Sequence, residues 1–518
     1  MKTKSYVLLL NVVLLSAMLL SACAGTPTAT AVAPTTVPTT ALPAAAPTTV
    51  PTTAPTAVTL ATVAPVEATA TIAPTESSVP AVLKMPAQIA GGRPVAITVA
   101  GTPPDSQPTL LANWQAAVSR FEALYPNVTI RGSDYTYNPD TFAALVAGKQ
   151  VPTLFQVYYT DPQKMVSDGV AADLTSFVKA QGLDKIYNPQ VMNLVTVDGK
   201  IYGLPMDAYA MGLAYNKTLL KAAGFTTPPT TWDELETMAK KLTNRDAGVA
   251  GFSFIFGDPK QAGWHTTILA MDFGLKNTDI AALQTNGKYV ASFDNPAMLD
   301  TLNLIHNLRW VDDVLPRENN AWDTNGQALA TGHEAMALMA SDQFSWIKTT
   351  FADVDMSQFG FAPLPTVNGT SISQVGGDVA MVSASATADQ IEAAATYRMW
   401  IQFDPNEMMT HYKLGASDPT VVVGGPRMPL YAGDYQTATA ALELKYSNLP
   451  VDYALFQEGI VSGKTQVMLE APGGVAQDYY GILGPAVSTI VTDEKANVAA
   501  LLTAAQKTFQ TNVLDLLK

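Results

Sequence analysis

The sequence predicts an α/β protein of at least two domains, on three observations. The chain has 518 residues, too many for one ordinary core. Between Val95 and Tyr159, apolar runs of strand length alternate with segments of helical spacing, the pattern of a βαβ sheet with helices on its faces. The stretch Val197–Leu242 then strings together a hairpin, an extended run, a short helix, a proline break and a capped helix.

Taken in order, Val95–Gly101 reads as a buried strand, and Thr109–Tyr125 as a helix through Leu110, Trp114, Ala117, Phe121 and Leu124. Pro126 ends that helix, and Val128–Ile130 restarts a strand. Asn138-Pro139 opens the next helix, with Asn as cap and Pro in the first turn. Thr153–Tyr159 is a third strand, and Tyr158-Tyr159-Thr160-Asp161 stands at its carboxyl end. Open α/β sheets place ligands at that end.

Asp198-Gly199 between apolar runs signals a tight hairpin. Met206–Tyr215 is extended, and Lys217–Ala223 is a short helix stopped at Gly224. After Pro228-Pro229, Thr231 and Glu234 fit a capping box. Further on, Gly248–Phe256 is strand-like, while Gln261–Phe273 and Pro296–Trp310 are helical. Ala328–Thr350 reads as a helix end, a turn at Gly332, a buried strand Ala335–Met339 and a loop. Phe359–Val367 is a strand, Ala388–Gln402 and Asp404–Leu414 are helices, and Tyr453–Lys518 is mostly helical.

Composition narrows the function. The hydrophobic fraction is 48%, so a sizeable core is available. The formal charge of −14 argues against nucleic acid, whose affinity comes from clustered Lys and Arg. Cys23 is the only cysteine, which excludes a disulfide framework and a cysteine zinc site. Lys2 and Lys4, the apolar run Tyr6–Leu20 and Leu20-Ser21-Ala22-Cys23 follow the anatomy of a bacterial lipoprotein signal. Cys23 is the expected lipidation site. The Thr/Pro/Ala-rich segment that follows cannot bury a core, and its prolines favour extended geometry. At ~3.1 Å per residue, about 60 such residues reach at most on the order of 180 Å.

Several enzyme-like signals fail. His333-Glu334 lacks the second histidine of a zinc-protease helix. Gly459–Thr465 is one residue short of a phosphate-binding loop. The four histidines, His265, His306, His333 and His411, are widely separated, so no metal cluster is signalled. The paired carboxylates of a glycosidase are a spatial feature that sequence leaves open.

The run Gly203-Leu204-Pro205, then Gly212-Leu213-Ala214-Tyr215-Asn216-Lys217, Ala223-Gly224 and Pro228–Leu235 resembles the extracellular solute-binding proteins that feed ABC importers, the family containing maltose-binding protein. Gly169–Thr175, Ala328–Thr350, Phe359–Val367 and Gly376–Ala380 follow in the family's order. Ser341-Asp342-Gln343-Phe344 departs from it, standing where Gly and Trp are common. The resemblance covers Val95–Lys518. It implies a two-lobed periplasmic-binding-protein-like fold (type II), with discontinuous lobes, a hinge, and ligand between the lobes. It also implies a monomer that delivers a small-molecule solute, a mono- or oligosaccharide, to ABC permease subunits at the membrane's outer face. No catalysis, cofactor or metal is expected. A polyamine, amino-acid-like compound or organophosphate on the same scaffold is the alternative, and a surface glycosidase or adhesin a further one.

The expected organisation is a signal peptide at 1–22, a disordered tether at 23–93, a first lobe at 94–207, a second lobe at 208–373, a return to the first at 374–430, and C-terminal helices of the second at 431–518. A sugar cleft needs carboxylates, amides and Arg for hydroxyls, and Trp or Tyr for ring faces. The candidates are Tyr159, Asp161, Asp207, Tyr209, Trp264, His265, Trp322, Gln343, Asp378 and Arg427. The resemblance gives Asp161 the place of a residue that bonds sugar hydroxyls; capping the following helix is its other reading. Trp114, Trp232 and Trp310 are read as packing residues.

Overall fold

The computed structural model describes residues 84–418, 421–468 and 474–517. The expected signal peptide, Cys23 and the tether up to residue 83 lie outside the described residues. The described chain is two-lobed, each lobe built on one sheet. The first sheet has strands β1 (Val95–Val99), β2 (Val128–Gly132), β3 (Leu154–Tyr158), β4 (Gly203–Pro205) and β9 (Asp378–Val382). The second has β5 (Tyr209–Asn216), β6 (Met336–Ala340), β7 (Phe359–Ala362), β8 (Ser371–Gly376) and β10 (Thr465–Met468).

In the first sheet the order is β2-β1-β3-β9-β4. β1 runs parallel to β2 and β3, and β9 runs antiparallel to β3 and β4. β5 is the spine of the second sheet, with all its residues after Tyr209 buried. It pairs with β6 along one edge, and with β7 and then β8 along the other. A strand buried on both faces reads as a continuous apolar run, which is how Ala210–Tyr215 reads.

The chain crosses between sheets at Met206–Ala208, from β4 to β5, and at Gly377, from β8 to β9. Gly377 has φ of +153°, and a Cβ there would stand 2.6 Å from Tyr159 Cε2. A third passage runs through Asn448–Asp452. Asn448 N–H donates to Val423 O, and Asp452 N–H donates to Phe359 O in β7. This passage lies beyond residue 430, because the helix Gly433–Tyr446 packs on the helix Pro405–Ser417 of the first lobe.

The folded region also begins before residue 94. Ile89 and Ala90 are buried, Tyr125 Oη donates to Pro86 O at 2.7 Å, and Ala90 N–H donates to Glu392 Oε2 at 3.0 Å.

Local signals translate directly. Asp198 and Gly199 have φ of 50° and 73°, the paired left-handed residues of a type I′ hairpin. Thr231 accepts the N–H of Glu234, while Glu234 reaches back to Thr230 N–H and Oγ1, one residue before the expected partner. Trp232 is buried, and its indole N–H donates to Asp272 Oδ2 at 2.7 Å.

Two expectations change. Gly248–Phe256 forms only isolated bridges, among them Ala250 to Glu334 just before β6 and Ser253 to Ala337 within it. Phe252 N–H turns away to Val314 O, while Phe252, Phe254 and Phe256 fill the second lobe. The expected loop after β6 is the helix Gln343–Thr350, which starts at Asp342.

Two long helices set the floor of the second lobe, Pro259–Asp272 and Ala476–Thr492. Gly263 and Gly484 let them touch. A Cβ at Gly263 would run into Tyr480 O, and one at Gly484 into Pro259 O. Each helical glycine costs about 1 kcal/mol relative to Ala. The close approach offsets that cost and brings Tyr480 and Gln477 beside Trp264.

Candidate functional site

A cavity of ≈440 Å³ opens between the two sheets. The first lobe contributes Asn138, Pro139 and Asp140 at a helix start, Tyr158 at the end of β3, and Asp378 at the start of β9. The second contributes Tyr209 from β5, Ala340 at the end of β6 and Asp342 just after it. Its two floor helices add Lys260, Gln261, Trp264, Gln477 and Tyr480, and Trp322 comes from the start of another helix. The site therefore stands where strands of both sheets end, as expected of open α/β sheets.

The aromatic groups are fixed by partners. Trp264 is largely buried, its indole N–H donates to Gln374 Oε1 at 2.6 Å, and its ring meets Tyr209 edge-on at 6.3 Å. Trp322 is half-buried and meets Trp346 edge-on at 5.1 Å. Rings held this way offer rigid faces at little entropic cost on binding.

Carboxylates line the same space. Asp140 pairs with Lys260 at 2.6 Å, an ion pair that joins the two lobes. Asp258 caps its helix by accepting Gln261 N–H at 2.9 Å. Burial, then the nearby Asp207 carboxylate, pushes Asp342 up to about 7. Its side chain is nevertheless exposed at the cavity. Burial, then Asp207 and Asp342, raises Asp378 well above the usual carboxylate range. Asp378 Oδ1 is shielded and has no hydrogen-bond partner.

Of the sequence candidates, the cavity brings together Tyr209, Trp264, Trp322 and Asp378. The other six stand elsewhere. Tyr159 is buried, and its hydroxyl donates to Asp207 O at 2.6 Å. Asp161 is buried at the start of a short helix without capping it. It accepts Thr160 Oγ1 at 3.0 Å and lines an adjoining chamber behind Asn138–Ala147. Burial pushes its carboxyl up to about 6.

His265 is sealed in the core, where its Nδ1 accepts Ile255 N–H at 3.3 Å and burial lowers it to about 3. Gln343 is fully buried, with its amide donating to Trp322 O. Asp207 and Arg427 line a second cavity of ≈520 Å³ beside the Pro405–Ser417 and Gly433–Tyr446 helices. There Arg427 pairs with Glu443 at 3.4 Å.

Sequence reasoning missed Tyr158, Lys260, Asp342, Gln477 and Tyr480. Strand alternation carried a signal for the first. Neighbours on a strand face opposite sides, so Tyr158 and Tyr159 cannot both face the cavity. No group of three or more metal-ligating side chains occurs among the described residues, and no described helix is long and apolar enough to cross a membrane.

Known proteins share this fold. The profile of the family described as bacterial extracellular solute-binding protein matches residues 105–397. A binding protein of Brucella abortus (strain 2308) is 37% identical over 81 residues, 15% of this chain and 18% of that protein. The maltodextrin-binding protein MdxE of Bacillus subtilis (strain 168) is 25% identical over 237 residues, 43% of this chain and 50% of MdxE. The chain thus spans half or less of the length of these curated relatives. Among solved structures, maltose-bound MalE3 of T. maritima superposes with a TM-score of 0.62 at 18% identity, covering 81% of this chain and 100% of that one. UgpB from Mycobacterium tuberculosis, in complex with glycerophosphocholine, gives 0.60 at 18%, covering 80% and 97%. With more than half of its length matched and both sheets in place, the chain belongs to the bacterial extracellular solute-binding protein family.

Proposed function

We propose that this protein captures a carbohydrate between its two lobes and delivers it to the permease of an ABC importer. The observation that carries the reading is the inter-lobe cavity, where Trp264, Trp322 and Tyr209 meet Asp378 and Asp342. Ring faces for stacking and acceptors for hydroxyls are what a sugar requires. Asp378 and Tyr209 stand beside the crossings, so a ligand there touches both lobes. A ligand favours closure only if it does so. The lobe assignments 94–207, 208–373, 374–430 and 431–518 are part of this proposal, with the third passage moved to Asn448–Asp452. Maltodextrin and maltose in the names of MdxE and MalE3 agree with it.

The motif around Cys23 supports a lipid anchor on the outer face of the membrane, with the Thr/Pro/Ala-rich segment as tether. Mass spectrometry of the N-terminal peptide should show a diacylglyceryl cysteine. For the ligand, titration calorimetry against neutral mono- and oligosaccharides should reveal at least one binder, and Trp264→Ala should weaken it at least tenfold. Absence of binding across the panel would sink the carbohydrate half. Release of product from chromogenic glycosides would overturn the transport reading.

A further inference from the structure

Four carboxylates line the inter-lobe cavity, Asp140, Asp258, Asp342 and Asp378, against one basic side chain, Lys260. Lys260 is committed to Asp140 at 2.6 Å. Asp258 serves its helix. Among the described residues, Asp342 and Asp378 form no ion pair. Asp207 adds a third like charge behind them, with its Oδ1 accepting Asp378 N–H at 2.8 Å. Arg427 and Arg398 act on Asp207, but Arg427 is held by Glu443 and Arg398 donates to Gln402 Oε1 at 2.8 Å. The start of the Gln343–Thr350 helix favours charge on Asp342, though a helix end supplies only about half a unit charge.

A neutral polyol can hydrogen-bond to such carboxyls, but it supplies no counter-charge, so when the lobes close they must either stay protonated, as their raised titration allows, or carry an uncompensated charge. Burying an unpaired, charged carboxylate is strongly unfavourable. A protonated amine cancels that charge, offers donors to the unpartnered Asp378 Oδ1, and is attracted to the faces of Trp and Tyr rings.

We infer that the cavity selects a ligand carrying a protonated amine among its hydroxyls, of the amino-sugar class, with Asp342 and Asp378 as the groups that read the charge. This rests on the carbohydrate reading and narrows it.

The test is calorimetry on the full chain with matched probes: glucosamine against glucose, the glucosamine dimer against its diacetylated form and cellobiose, 1-deoxynojirimycin against glucose, and spermidine as an amine without a sugar. At least one amine should bind tenfold or more tighter than its neutral counterpart. Asp342→Asn and Asp378→Asn should each reduce that preference at least fivefold. Both changes are isosteric and remove like-charge repulsion, and thermal melts check that the variants fold. The wild-type comparison stands without them.

Neutral counterparts binding as tightly as the amines would overturn the inference and leave the carbohydrate reading standing. Spermidine binding with no sugar bound would keep the charge assignment and overturn the carbohydrate reading. Absence of binding by every probe would overturn both.

Discussion

The backbone N–H of Asp378 donates to the side-chain Oδ1 of Asp207 at 2.8 Å, so one crossing between the lobes is tied to the other. Met206 N–H returns a bond to Asp378 O at 2.8 Å. Tyr159 adds two more ties, from its hydroxyl to Asp207 O and from its N–H to Gly377 O. The two crossings thus form one knot. Lobe motion about it must be taken up by torsions in the flanking residues, not by sliding one crossing past the other.

Tyr159 should therefore matter for stability more than for ligand contact. Tyr159→Phe removes the donor to Asp207 O and leaves the ring in place. The expected loss is about 1 kcal/mol of unfolding free energy, typical of one hydrogen bond. Urea unfolding measures it, with the slope unchanged. A tenfold loss of affinity at unchanged stability would move Tyr159 into the binding site.

Gly377 is constrained twice, by φ of +153° and by its neighbours: a Cβ would stand 2.6 Å from the Tyr159 ring and 2.8 Å from Asp207 O. Gly377→Ala should cost on the order of 2–4 kcal/mol. Gly169 has φ of +68° with nothing within 4 Å of a Cβ, so Gly169→Ala should cost only about 1 kcal/mol. Equal losses in the two variants would show that steric closeness at the knot is unimportant.

The sequence made most elements legible, because capping residues, prolines and apolar spacing act locally. Pro296–Trp310 has the same ends in sequence and structure. It also pointed to the right neighbourhoods of the site but missed the faces. Tyr159 is a candidate by sequence, yet Tyr158 lines the cavity; Gln343 is a candidate, yet Asp342 lines it. A shift of one residue turns a side chain to the other face of a strand, and at a helix start it separates a cap from a packed residue. Which neighbour faces the cavity is decided by tertiary partners, such as Trp322 O accepting the Gln343 amide. Tyr480 and Gln477 carried no local signal, because the glycine contact between two helices distant in sequence brings them in.

The pair Asp140–Lys260 joins the lobes near the cavity at 2.6 Å, with Asp140 largely exposed. An exposed pair is worth up to about 1 kcal/mol, or a factor of roughly 5 in the equilibrium between open and closed lobes. Lys260→Gln should weaken a bound ligand by up to about fivefold at low salt, and the difference should shrink in about 0.5 M salt as charges are screened. Calorimetry at two ionic strengths checks this. A loss that persists at high salt would mean that Lys260 contacts the ligand directly.

Glu334 gives the fold a pH dependence whose sign follows from burial. Its carboxyl is sealed between Ser253 and Asn325, accepting from the Ser253 hydroxyl and from Asn325 Nδ2 at 3.1 Å, and burial pushes it up to about 8 from an ordinary 4.5. Between those values the folded chain holds a proton that the unfolded chain has released, so stability from this group falls as pH rises from about 5 to 8. His265 acts the other way and lower down. It stays neutral when folded and protonates when unfolded below 6.5, so its contribution is lost as pH falls through that value. Above about 6.5 the Glu334 slope is unopposed by His265, on the order of 1 kcal/mol per pH unit. Glu334→Gln keeps an acceptor for Ser253 and supplies a donor for Asn325 Oδ1, which has no partner. Urea unfolding at pH 6.5 and pH 8 should show the wild type losing stability over that interval and Glu334→Gln losing less. Parallel losses in both proteins would place the titrating group elsewhere, with Asp342 and Asp378 next to be replaced.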